Sequence, residues 1–184
     1  MNQTTQTQMA VLSPEQTLRE LDRLVTNLES QYRAMLEAVE AHERAMRVAD
    51  SATMATCVAR ENDAVQAIAE LDKRRAHIVS LYKKSNGVTA PRDGAEPLTI
   101  TAIARRIGGE SGGRLAARAE ALRELIAAVR RKTDALHMAA KLLGAHMDGL
   151  MRQVMQMLNH AQVYSRGGSV SSGPAVTTAL DITS

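Results

Sequence analysis

The sequence predicts an all-α protein: an elongated antiparallel helical bundle or coiled coil of three long helices plus a short helical insert. Three observations predict it. Apolar residues step by three and four over most of the chain, most completely in the last long segment. Hydrophobic residues make up 45% of the 184, yet there is no Trp, no Phe, three Tyr and ten Met. That mixture suits thin helix-on-helix layers better than a thick globular core. Helix start signals also stand where the apolar runs begin.

Residues 1–12 are polar and are expected to be disordered. Ser13-Pro14-Glu15-Gln16 opens the first helix, with Ser as N-cap, Pro at the first helical position and Gln at the third. Over about 14–49 it carries Leu18, Leu21, Val25, Leu28, Tyr32, Met35, Val39, His42, Met46 and Ala49 in strict three–four alternation. Asp50-Ser51 caps a second helix over about 51–84 and so predicts a tight turn. Its inward residues are Met54, Cys57, Ala64, Ile68, Leu71, Ile78 and Tyr82. Glu61 and Arg75 fall on that seam, which predicts a shorter or partly exposed contact.

Residues 85–97, SNGVTAPRDGAEP, hold two Pro and two Gly and read as a loop. Thr99 caps a short helix over 99–107 with Ile100, Ile103 and Ile107, which Gly108 ends. The segment GGESGG reads as a flexible joint into the last helix, over about 112–165. A Gly/Ser-rich tail over 166–184 is expected to be disordered. The helical domain thus covers 13–165.

The last helix has the longest seam: Leu115, Ala119, Leu122, Ile126, Val129, Thr133, Leu136, Ala140, Leu143, Met147, Leu150, Val154, Met157, Ala161 and Tyr164. A repeat averaging 3.5 residues turns one stripe toward a partner helix along its whole length. At 1.5 Å per residue the element is about 75 Å long. A rod of this kind offers binding surface and little place for a catalytic pocket.

The excess of 23 basic over 20 acidic residues, a net charge of +3, is too small to demand a nucleic-acid partner. One cysteine, Cys57, excludes an internal disulfide and fits the cytoplasm. The start, MNQTTQTQMAVLSPEQ, has no basic n-region and no apolar core, so no signal peptide is expected. No run approaches the roughly 18 apolar residues that a membrane span needs.

Chemistry-bearing groupings are weak throughout. Gly108–Gly113 lacks the Gly-Lys-Ser/Thr ending of a phosphate loop, and no strand precedes it. His137, His146 and His160 share a helix without the i,i+4 pair of helical metal sites. Seam residue His42 reads as partly buried core, Cys57 as packing, and Glu61 and Asp63 as residues of solvated faces. No catalytic residue, metal site or cofactor is expected, and the chain does not read as an enzyme. The basic clusters Lys73-Arg74-Arg75, Lys83-Lys84, Arg105-Arg106 and Arg130-Arg131-Lys132 are interspersed with acids, and their ordinary reading is salt-bridged helix surface.

The methionines carry more. Met138, Met147, Met151, Met155 and Met157 crowd the last helix, and Met151, Met155 and Leu158 widen its apolar face beyond the seam. In a three-helix bundle that width touches two neighbours. Alternatively it is an adaptable groove, because unbranched thioether side chains re-pack around different apolar ligands.

These features together resemble the FlgN family of flagellar type III export chaperones. An E-R-x-A-L-x-x-x-D-like stretch is matched by Glu43-Arg44-Ala45-Met46 with Asp50 following. Lys73-Arg74-Arg75 resembles the family's basic end of the second helix, and Leu122-Arg123-Glu124-Leu125 its L-R-x-L opening of the long helix. Leu142-Leu143 is similar to its later Leu-Leu pair, and Tyr164-Ser165-Arg166-Gly167-Gly168 to its closing Tyr and glycine-containing turn. The likeness covers residues 15–168. Where the family carries asparagines before the Leu-Leu pair, this chain has His137-Met138-Ala139-Ala140-Lys141.

The resemblance implies a cytoplasmic chaperone for the hook–filament junction (hook-associated) proteins. Such a chaperone holds the client's helical terminal segment, prevents premature assembly and delivers it to the export gate. Carried over, the client site is Leu143, Met147, Leu150, Met151, Val154, Met155, Met157 and Leu158, and Tyr164 docks on the gate. A second copy of the chain, giving a homodimer, is a further candidate partner. The alternatives are a coiled-coil protein that only self-associates, and a basic helical nucleic-acid binder with steeply salt-dependent affinity.

Overall fold

A computed structural model describes residues 13–87 and 98–163. All regular structure among them is helical: α1 (Pro14–Arg47), α2 (Ser51–Ser85), α3 (Ile100–Ile107) and α4 (Gly109–Val163). The expected disordered ends, residues 1–12 and 166–184, lie outside the described residues. By packing, the chain divides into two units, residues 1–136 and 137–184.

The starts of α1, α2 and α3 obey the sequence signals that predict them. Ser13 Oγ accepts the Gln16 amide at 3.2 Å while Gln16 Oε1 accepts the Ser13 amide at 3.0 Å, a reciprocal capping box. Asp50 accepts the Thr53 amide at 3.0 Å and its hydroxyl at 2.6 Å. Thr99 Oγ1 accepts the Ala102 amide at 3.1 Å. α1 stops at Arg47 because Val48 and Ala49 turn the chain, Ala49 at φ +54.

In the first unit α2 runs antiparallel to α1, as Arg74–Glu20 at 2.6 Å and His42–Glu61 at 2.9 Å fix. α4 runs parallel to α1: Arg118 reaches Asp22 at 2.5 Å and Glu29 at 3.1 Å, and Lys132 reaches Glu40 at 2.7 Å. This is an up-down-up bundle with α1 between its neighbours. One core cluster joins Leu21, Leu24, Val25, Ile78, Tyr82 and Leu122 to Ile103 and Ala104 of α3. A second joins Met35, Val39, Ala64, Val129 and Leu136.

Three expectations change. GGESGG is no joint, because α4 already begins at Gly109: the turn is confined to Gly108 and Gly109, at φ +76 and +70, and Gly112 and Gly113 lie inside the helix. Glu61 is not on a solvated face but half-buried, where it meets the other polar seam residue, His42. Two groups that looked like flaws in separate seams satisfy each other, as burial of polar atoms requires. Third, the last helix's seam is not covered along its whole length. Its buried residues, Leu115, Leu122, Val129 and Leu136, end at Leu136.

Gly112 has a steric reason. A Cβ there would stand 2.5 Å from the Ala104 carbonyl oxygen, so only glycine lets α4 pass this close to α3. At Gly149 an added Cβ meets nothing within 4 Å, and α4 runs through that residue unbroken. Alanine normally improves a helix interior over glycine by up to about 1 kcal/mol. We therefore expect opposite signs: Gly149→Ala raises stability by roughly 0.5 kcal/mol, and Gly112→Ala lowers it by roughly 1–2 kcal/mol. Urea denaturation of both variants checks this; stabilisation by Gly112→Ala would show that α3 does not pack as described.

Ion pairs across helices make the bundle acid-sensitive. The Arg74 guanidinium, hydrogen-bonded to Glu20, holds that carboxyl below its ordinary value of 4.5, and Lys132 does the same for Glu40. A carboxyl depressed in the folded state stabilises the fold above its unfolded value and loses that contribution as pH falls through the folded one. Melting temperature should thus fall as pH drops below 4.5. The Glu20→Gln/Glu40→Gln variant should show a shallower fall, by a small margin because both pairs face solvent. Identical pH profiles would remove these pairs from the acid response.

Candidate functional site

The second unit is described through α4 from His137 to Val163. Ten large apolar side chains between Met138 and Leu158 are exposed there: Met138, Leu142, Leu143, Met147, Leu150, Met151, Val154, Met155, Met157 and Leu158. Their exposures run from 39% at Met155 to 71% at Met157, so none is sealed. Ordinary protein surfaces scatter such residues singly; a contiguous run marks a contact.

Helical geometry orders them. At about 100° per residue, Leu143, Met147, Leu150, Val154 and Met157 form one line, and Met151, Met155 and Leu158 a second beside it. Together they subtend roughly 160°, wider than the ~100° stripe that a single core-facing helix needs. Asp148, Arg152, Gln153 and Gln156 occupy the rest of the circumference, so the segment is amphipathic with its apolar side bare. All eight residues of the expected client site therefore share one open face. Met138 and Leu142 are equally exposed but lie off that face. Tyr164, the expected gate-docking residue, lies outside the described residues.

Long flexible apolar side chains of this kind can bind an apolar surface and exclude water from it. Among the described residues no group of three His, Cys, Asp or Glu is placed to hold a metal ion. No helix among them is long and apolar enough to cross a membrane. The basic clusters are paired with acids in part: Lys73 with Glu70, Arg74 with Glu20, Arg75 with Asp72 and Lys132 with Glu40, whereas Lys83, Lys84, Arg106, Arg130 and Arg131 make no ion pair among the described residues.

The family model described as FlgN protein matches residues 9–172. No curated protein and no solved structure matches the chain. The matched span takes in all four helices and the bare face of α4, and so the chain belongs to the FlgN family, a family of flagellar export chaperones.

Proposed function

We propose that this protein is a cytoplasmic chaperone that binds the helical terminal segment of hook–filament junction proteins, blocks their premature assembly and delivers them to the type III export gate. The observation that carries the reading is the open apolar face of α4 from Leu143 to Leu158. A client segment that is disordered alone folds as an amphipathic helix against this face. Burial at about 25 cal/mol per Å² of apolar surface offsets the ordering cost, and moderate affinity, near micromolar, is the expected balance. Such affinity suits a carrier that must also let go. Methionines favour it further, since they adapt to more than one client surface.

Calorimetry with C-terminal peptides from the two hook–filament junction proteins of the same cell tests the reading. Micromolar binding by one or both supports it; no heat from either peptide, with the chaperone folded, rejects it. Light scattering separates the self-associating alternative, which predicts a tight dimer indifferent to client peptide. In the same proposal Tyr164 contacts the export gate. Tyr164→Ala should leave peptide affinity within about twofold while motility declines. Full motility in that mutant strain would take Tyr164 out of the docking role.

A further inference from the structure

The first unit holds a second surface, far along the sequence from the α4 face. Between α2 and α4, beside α3, lies a groove of about 820 Å³ open to solvent. Tyr32, Ile68, Ile100 and Ile126 line it and are each half-buried, so its floor is apolar without being sealed. Arg75 occupies a seam position of α2, lines the groove and turns to Asp72 at 2.7 Å, so a charged side chain rather than an apolar one stands on this stretch of the seam.

The lining is basic. Arg75, Arg105, Arg123 and Arg130 face two carboxylates, Asp72 and Glu120, which leaves two positive charges in excess (four minus two). Asp72 is taken by Arg75, whereas Glu120 sits 3.9 Å from Arg105 and 3.7 Å from Arg123, too far for a hydrogen bond. Among the described residues Arg130 has no carboxylate within ion-pair distance. Three guanidinium forks thus keep unused donors suited to carboxylates.

The spacing says what shape fits. Lining residues recur once per turn along both walls, at 68, 72 and 75 on α2 and at 119, 122, 126 and 130 on α4. Arg123 and Arg130 stand two turns apart, about 10 Å, so they do not converge on one phosphate. A row of carboxylates on a helix matches that interval. Tyr32 is the single aromatic on the floor, too little stacking surface for nucleic acid.

From this we infer that the groove docks an acidic amphipathic helix of a partner protein, its apolar line on the Tyr32–Ile126 floor and its carboxylates on Arg105, Arg123 and Arg130. The inference does not depend on the reading of the α4 face. Its probe is a synthetic helical peptide of about 18 residues, with leucines at i, i+3, i+4 and i+7 spacing, flanking glutamates and a net charge near −5. Fluorescence anisotropy against the full chain should show binding that weakens as salt rises. The exposed pair Arg123→Glu/Arg130→Glu should lower affinity at least about tenfold, and the lysine version of the peptide should bind that variant but not the unaltered chain. Met151→Glu/Leu158→Glu should leave the acidic peptide's affinity unchanged. Equal affinity for acidic and basic peptides overturns the inference, as does affinity unmoved by the arginine reversals. Displacement by a single-stranded oligonucleotide, or loss of binding in the α4 variant, overturns it too.

Discussion

Met151→Glu combined with Leu158→Glu should lower affinity for a junction-protein peptide at least about 100-fold while leaving the helical circular-dichroism signal in place. The two side chains are 64% and 56% exposed, so no core contact is lost when they change. Glutamate is a good helix former, and exposed substitutions of this kind move stability by only about 0.5 kcal/mol. The effect on binding is different in kind. A client helix laid over this face would bury two carboxylates without partners, at a cost of one to several kcal/mol each. Calorimetry and far-ultraviolet spectra on the same sample decide the matter. Loss of helicity with loss of binding would place Met151 and Leu158 in a core; retained binding would move the client off this face.

Leu24→Ala should destabilise the bundle by about 3 kcal/mol, whereas Leu143→Ala should change stability by less than about 0.5 kcal/mol. Leu24 is fully buried in the cluster that joins α1, α2, α3 and α4, and its truncation leaves a cavity that rigid neighbours cannot fill. Leu143 is 47% exposed and has little packing to lose. Urea midpoints measure both. Similar losses at the two positions would mean that the α4 face is covered after all. In binding, the order reverses: Leu143→Ala should weaken client affinity by about tenfold, and Leu24→Ala, where the protein is folded, should not.

That pair shows where reading from sequence reaches its limit. Leu143 belongs to the unbroken three–four seam that predicts a partnered helix, and it is bare. Leu24 lies off the α1 seam, and it is sealed. Periodicity reports which residues share a helix face; burial depends on whether another helix arrives there. α1 has neighbours on two sides, so Leu24, Ala38 and Ala45 are buried beside the seam itself. The capping box at Ser13, the caps at Asp50 and Thr99 and the end at Gly108 were legible because each is a bond within four residues. The Glu61–His42 contact was not, since it spans 19 residues and two helices. Neither was Gly112, whose need for a bare Cα comes from the Ala104 carbonyl of another helix. The arginines of the groove read as ordinary solvated charge until α2, α3 and α4 bring them to one lining.

By itself, then, the sequence determined the all-α class, the starts of the first three helices, the apolar lines along each helix and the kinship with the FlgN family, because local hydrogen bonds and side-chain spacing are written residue by residue. Tertiary structure alone decided which stretch of those lines is consumed by the bundle and which is left bare. The core of α4 ends at Leu136, and the same apolar pattern beyond it meets water. Hydrophobic side chains carry no record of whether their partner is in the same chain; only the arrangement of the other helices says so.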